Sequence, residues 1–382
     1  MTDGSGRPDV AQCPYCGWPA GPGDNFCEAC RTDLRLTPPA DLSQRFPAEP
    51  PPAQTAVSGR GNGHAARCAF CPAAGASVDG YCESCGRKLT ADADHCELDL
   101  GLLAGVTDRG LRHARNEDAL ALATAYLLPA GPVAVATVCD GVSSSPRPQE
   151  ASQAAARALV QVIIDRLTAG GDPEEASAEG VRRAREAVAA LASPDAGAPA
   201  ATFVSAVLTS DAVTLCWLGD SRGYWLGFGP VPVTERLTTD DSMAAEMVAA
   251  GLVSESEALA LPQAHVVTRW IGEDVGEAGA HVTTFRPPGP GVLLLCSDGL
   301  WNYQPDAAGL ARMALPGALT DPLGAAAALV RFAVGAGGAD NITVVLAPFP
   351  LSPRRGPAGP GGTAPEATVE SSAAIASREG QT

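Results

Sequence analysis

An α+β fold follows from three features of the chain: short apolar segments of strand type, Ala-rich segments of helix type, and an order that does not alternate the two strictly. Val133-Ala-Val-Ala-Thr-Val-Cys139, Thr202 to Leu208, Val213 to Leu218, Val292 to Cys296 and Ile342 to Leu346 are apolar runs bounded by Gly, Asp or Asn. Most are rich in β-branched residues, so they read as buried strands. Ala151 to Leu167 and Ala176 to Leu191 are Ala-rich and free of proline, and Met243 to Leu261 and Pro322 to Val334 complete a set of four expected helices.

The chain has 382 residues, 46% of them hydrophobic, enough for one substantial core with material left for smaller modules. Its longest apolar runs, such as Gly291 to Cys296, are far too short to cross a bilayer, and the N-terminus lacks a basic segment followed by an apolar one. A cytoplasmic protein without a membrane partner is expected. The 43 acidic residues outnumber the 26 basic ones, for a formal charge of -17. That charge opposes binding to nucleic acid and to anionic membranes. It also repels a phosphorylated substrate, so a site for one needs local positive charge, which bound divalent metal can supply.

Eight of the twelve cysteines lie before residue 90, in two copies of one unit. Cys13 and Cys16 pair with Cys27 and Cys30, and Cys68 and Cys71 with Cys82 and Cys85, with ten residues between the pairs in each copy. Two CxxC knuckles can place four thiolates tetrahedrally around zinc, so each unit reads as a structural zinc ribbon, two Zn²⁺ in all. Units this small have little core without metal. Protein contact is their expected role, with nucleic acid disfavoured by charge. The divisions read from composition are a first ribbon over 1–35, a Pro/Ala/Gly-rich linker over 36–63 and a second ribbon over 64–95. A large domain over 100–349 and a disordered tail over 350–382 follow.

Within the large domain, carboxylates stand where expected strands end or turns begin: Glu117-Asp118, Asp140-Gly141, Asp220, Asp298-Gly299 and Asp340-Asn341. A single aspartate at such a place is usually a turn residue or helix cap. Several across one compact domain suit Mg²⁺ or Mn²⁺, which take hard oxygen ligands.

These residues carry a resemblance. Arg115-Asn-Glu-Asp-Ala119, Val138-Cys-Asp-Gly141, Leu218-Gly-Asp-Ser-Arg222, Thr268-Arg-Trp-Ile-Gly272, Cys296-Ser-Asp-Gly-Leu-Trp301 and Asp340-Asn-Ile-Thr343 resemble, in order, the motifs of the PPM or type 2C metal-dependent protein phosphatases. The resemblance runs from about Leu103 to Leu346 and implies a β-sandwich of two antiparallel sheets flanked by α-helices, with the metal site at one edge. It makes Asp140 a ligand bridging two Mn²⁺ or Mg²⁺ ions, with Glu117 and the Gly141 carbonyl on one ion and Asp298 and Asp340 on the other. Asp118 would orient metal-bound waters, and Asp220 with Asp298 would hold a third, weaker ion. The implied reaction is hydrolysis of phosphoserine or phosphothreonine in proteins by a water bridging the two ions. Implied partners are serine/threonine kinases of bacterial type or their substrates.

The chain also departs from the pattern. Many relatives carry a phosphate-gripping arginine four residues before the first acidic ligand, where this chain has His113. An extended segment would put His113, Arg115 and Glu117 on one face, and either basic residue could then meet phosphate. Asp140-Gly-Val-Ser-Ser-Ser145 lacks the histidine of a DGHGG motif, and Asp241 stands where a T-x-D-H-S stretch has histidine. Cys139, next to Asp140, is expected to be buried and no nucleophile. A non-catalytic phosphoprotein scaffold working through the ribbons is the competing reading.

Overall fold

The computed structural model describes residues 53–58 and 94–352, apart from 196, 230–231, 255–256, 259–260, 262–265 and 273–278. The eight paired cysteines lie outside the described residues, and so do residues 1–35 and 64–93 of the expected ribbons and the tail from 353.

Among the described residues, twelve strands form two six-stranded sheets. The first sheet contains β1 (Gln54–Val57), β4 (Asp118–Leu127), β5 (Gly131–Gly141), β6 (Ala201–Leu208), β7 (Val213–Leu218) and β10 (His281–Phe285), in that spatial order. The second runs β2 (His95–Asp99), β3 (Ala104–Asp108), β12 (Ile342–Phe349), β11 (Gly291–Cys296), β8 (Arg222–Gly227), β9 (Thr234–Arg236). Every pairing is antiparallel. Helices α1 (Pro148–Thr168) and α2 (Pro173–Ala189) cover the first sheet, and α5 (Ala307–Ala318) and α6 (Pro322–Ala336) cover the second. Two short helices, α3 (Met243–Ala249) and α4 (Asp298–Trp301), complete the described elements.

The apolar runs are continuous because these strands are buried on both faces. In β5, Val133, Val135 and Cys139 pack towards α1, while Ala134, Ala136 and Val138 pack between the sheets. Likewise in β11, Val292, Leu294 and Cys296 face α5 and α6, and Leu293 and Leu295 face the other sheet. Period-two alternation therefore divides each strand between two cores instead of between core and water. The buried stripe of α1 (Ala151, Ala155, Leu159, Ile163 and Leu167) recurs at helical spacing, and its small residues seat the helix closely on the sheet. Asp172, Asp306 and Asp321 cap α2, α5 and α6 by accepting backbone N–H bonds.

Three expectations need correction. Gln54–Val57, inside the stretch read as linker, is a strand hydrogen-bonded to β4, and Ser58 closes it by accepting from the Leu120 N–H. The second sheet begins at His95, within the span assigned to the second ribbon. The helix expected over Met243 to Leu261 ends at Ala249, because Gly251 takes a positive φ of 68° and turns the chain.

Candidate metal centre

Hairpin geometry first brings Asp118 and Asp140 together. β4 starts and β5 ends at one end of the first sheet, and the register sets Asp118 directly opposite Asp140. Gly141 follows, donating its N–H to the Glu117 carbonyl at 3.1 Å. A Cβ at Gly141 would stand 2.6 Å from the Pro148 carbonyl oxygen and 2.8 Å from that of Glu117, so only glycine fits there. At the facing end of the second sheet, β11 runs into Ser297 and Asp298, and β12 is preceded by Asp340 and Asn341. Asp220 lies on the turn between β7 and β8, and its carbonyl accepts from Trp301 Nε1 at 2.9 Å.

Asn341 ties this end together. Its Nδ2 donates to the carbonyls of Arg109 (2.8 Å) and Arg115 (3.1 Å), and its Oδ1 accepts from the Glu117 N–H at 2.7 Å. Asp118 is buried, and its Oδ2 accepts from Ser297 Oγ and Thr343 Oγ1, both at 2.7 Å. Ser143 Oγ donates to Glu117 Oε2 at 2.6 Å.

The acids repel one another. Burial, then the charges of Asp118, Asp298, Asp340 and Asp220, push Asp140 well above the usual carboxylate range. Asp298 is pushed the same way by burial and by Asp220, Asp340 and Asp118. Asp118 is raised to about 7, chiefly by burial, which outweighs the hydroxyls of Thr343 and Ser297. Asp220 also reaches about 7, from burial and the nearby Asp240. Asp118, Asp140 and Asp298 are shifted by burial and like charge with no basic group to offset them, whereas Arg222 partly offsets the shift of Asp220. Asp118 Oδ1 and Asp298 Oδ1 are buried without a hydrogen-bond partner. Among the described residues no three of His, Cys, Asp and Glu close on a single point as a ready-made cage. The acids form instead an open set of hard oxygen donors, two of them unsatisfied, and that set fits divalent cations.

The structure thus places Glu117, Asp118, Asp140, Gly141, Asp220, Asp298 and Asp340 at one end of the sandwich. The segment before Glu117 turns at 110–112 and bends at 114–115 instead of running as a strand, so the strand alternation expected to align His113, Arg115 and Glu117 is not present. His113 turns towards Asp340, its Nε2 3.1 Å from Oδ1, while Arg115 is exposed. Cys139 is buried, and burial with Asp118 and Asp140 raises its thiol well above its ordinary value, which removes it as a nucleophile. Sequence reasoning missed Asn341 as a hub, Ser143 as the partner of Glu117, and Ser297 and Thr343 as the partners of Asp118. A surface groove on the outer faces of α1 and α2, lined by Glu150, Arg157, Arg183 and Glu186 among others, contains none of these acids.

Fold and site together define a class: two antiparallel sheets between helical layers, with a cluster of carboxylates at one end. The protein phosphatase 2C family model matches residues 109–314, more than half the chain, and the chain belongs to that family. It is 31% identical over 247 residues to the serine/threonine protein phosphatase PstP of Mycobacterium tuberculosis, a match covering 64% of this chain and 44% of that protein. Over 147 residues it is 34% identical to the serine/threonine phosphatase Stp of Listeria innocua, covering 38% of this chain and 55% of the relative. The chain therefore spans about half the length of these curated relatives. The crystal structure of the PstP catalytic domain in complex with two manganese ions matches at a TM-score of 0.53 and 28% identity, covering 64% of this chain and 96% of that one. Staphylococcus aureus Stp1, at 22% identity and a TM-score of 0.55 over 66% of this chain and 96% of its own, shares the fold. No described helix is long and apolar enough to cross a membrane.

Proposed function

We propose that the chain is a metal-dependent protein serine/threonine phosphatase that hydrolyses phosphoserine and phosphothreonine in proteins. The observation that carries this reading is the cluster of mutually repelling acids with unpartnered oxygens on Asp118 and Asp298. Asp140, Asp298 and Asp340, with Glu117 and the Gly141 carbonyl, would hold two Mn²⁺ or Mg²⁺ ions, and Asp220 with Asp298 a weaker third. When bound, the ions supply the positive charge that draws in a phosphate and acidify a bridging water for in-line attack on phosphorus.

The chain's own residues do the positioning. Ser297 and Thr343 fix Asp118 through Oδ2, which leaves Oδ1 to accept from and orient a water. Ser143 holds the Glu117 carboxylate in one rotamer, and Asn341 fixes the backbone on which Glu117 and Asp340 stand. With no histidine after Asp140 and Cys139 buried, the leaving serine or threonine oxygen takes its proton from water, and no phosphoenzyme forms. PstP and Stp are named as serine/threonine phosphatases, which supports phosphorylated proteins as substrates and a role opposing serine/threonine kinases. The paired cysteines fit two structural zinc ions in modules that contact protein, in the cytoplasm.

The test is phosphate release from a phosphothreonine peptide with Mn²⁺, comparing the wild type, Asp298→Asn and wild type in EDTA. Release by the wild type that falls about a hundredfold or more in both controls supports the reading. A folded, Mn²⁺-loaded wild type that releases nothing from varied phosphopeptides overturns it in favour of a phosphoprotein scaffold.

A further inference from the structure

His113 stands four residues before Glu117, and the structure gives its ring an acidic neighbour. His113 Nε2 stands 3.1 Å from Asp340 Oδ1, and both side chains keep partial exposure, 27% and 40%. Donors on adjacent corners of an octahedron with bonds of about 2.1 Å stand about 3 Å apart. The two atoms therefore have the separation of neighbouring ligands on one cation.

The approach is built into the backbone on both sides. Arg109 Nη1 donates to the His113 carbonyl at 2.8 Å, and Arg109 Nε lies 3.5 Å from Asp94 Oδ2. Asn341, the residue after Asp340, grips the same loop through the carbonyls of Arg109 and Arg115. The Leu111 N–H donates to the Gly338 carbonyl at 2.8 Å, and a Cβ on Gly110 would collide with the Asp340 carbonyl oxygen. The loop carrying the imidazole and the loop carrying the carboxylate are thus stapled together by contacts that involve neither side chain. Such prior fixing is what a ligand pair needs.

We propose that His113 is a nitrogen ligand to the cation held by Asp340, which disfavours Mg²⁺ relative to Mn²⁺ and the later divalent transition metals at this centre. The inference rests on the acid cluster being a metal centre, and it takes His113 away from phosphate binding.

The experiment uses the full chain, stripped with chelator and titrated with Mn²⁺ alone, and reads directly coordinated ¹⁴N by pulsed electron spin resonance. Asp298→Asn serves as the metal-site control, and His113→Ala, His113→Gln and His113→Arg as ligand variants. The wild type shows a ¹⁴N coupling that all three His113 variants lose, while the other four histidines remain in place. His113→Ala also lowers Mn²⁺ affinity about tenfold and Mg²⁺ affinity about twofold or less. If Mn²⁺ binds in a manner that Asp298→Asn weakens but no nitrogen coupling appears, His113 is only a hydrogen-bond partner of Asp340. The inference is then overturned while the phosphatase reading stands. If the wild type binds no Mn²⁺, both fall together.

Discussion

Two groups of charge lie a few residues apart in this sandwich, and they are built on opposite terms. Arg222 and Asp240 form a closed pair: Nη2 and Nε donate to the carboxylate at 2.6 and 3.0 Å, and the guanidinium stacks over Trp301 at 3.6 Å. Nη1 reaches Tyr224 Oη at 3.3 Å. Across the turn at Asp220, the cluster of Asp118, Asp140, Asp298 and Asp340 has no basic partner of comparable quality among the described residues, where His113 reaches only Asp340. A second closed pair, His95 Nδ1 with Asp108 Oδ2 at 2.7 Å, stands beside the loop that leads to His113. The contrast separates support from chemistry. Where the fold needs a buried charge for architecture it provides the opposite charge within the chain, and where it leaves acids opposed the proposed cations would supply the missing charge.

The comparison breaks most readily at Arg222. Arg222→Met leaves Asp240 buried and uncompensated, and is expected to cost about 3–5 kcal/mol in urea unfolding, with or without Mn²⁺. An unchanged midpoint would mean that the closed pair contributes nothing.

His95 sharpens the contrast through pH. Burial alone would lower its pKa, but Asp108 and then Glu97 outweigh that and lift it to about 9. A histidine raised on folding contributes stability that is full below about 6.5, its unfolded value, and lost as pH rises through about 9. His95→Gln should therefore cost up to about 3 kcal/mol at pH 6 and little at pH 10. A cost independent of pH would show that packing, not charge, is what the ring supplies.

Ser143→Ala is the smallest expected effect. Losing the hydroxyl that holds Glu117 raises the Mn²⁺ concentration for half-activation about tenfold, and Ser143→Thr recovers most of it. Equal behaviour of the two variants would remove Ser143 from the positioning of Glu117.

Much of this was legible in the chain before folding. The five apolar runs are strands, and α1, α2 and α6 fall within three residues of their expected bounds, because long Ala-rich or β-branched segments fix their own conformation. β4 was not legible, since Asp118-Ala-Leu-Ala-Leu-Ala-Thr-Ala-Tyr-Leu127 has the composition of a helix and is a strand through its pairing with β5. β8 hid behind Arg222 and two glycines, and α5 behind Pro316. The acids of the site could be read as acids at strand ends. Ser297 and Thr343 could not be read as partners of Asp118, because they stand 179 and 225 residues from it and only sheet packing joins them.

As the chain alone builds it, the acid cluster is strained, and bound cations are expected to relieve it. Because the carboxylate pKa values are raised, the cluster's contribution to stability is full below about 4 and is lost as pH rises through about 7, so the strain is present at neutral pH and does not lessen above it. The most direct measurement is thermal unfolding of the wild type and Asp140→Asn at pH 7.5, each in EDTA and in excess Mn²⁺. In EDTA, Asp140→Asn should melt above the wild type, since one repelling carboxylate is gone. Mn²⁺ should raise the wild type by at least several degrees and Asp140→Asn by much less. An Asp140→Asn variant that melts below the wild type in EDTA, or a Mn²⁺ shift equal in both proteins, would contradict the account.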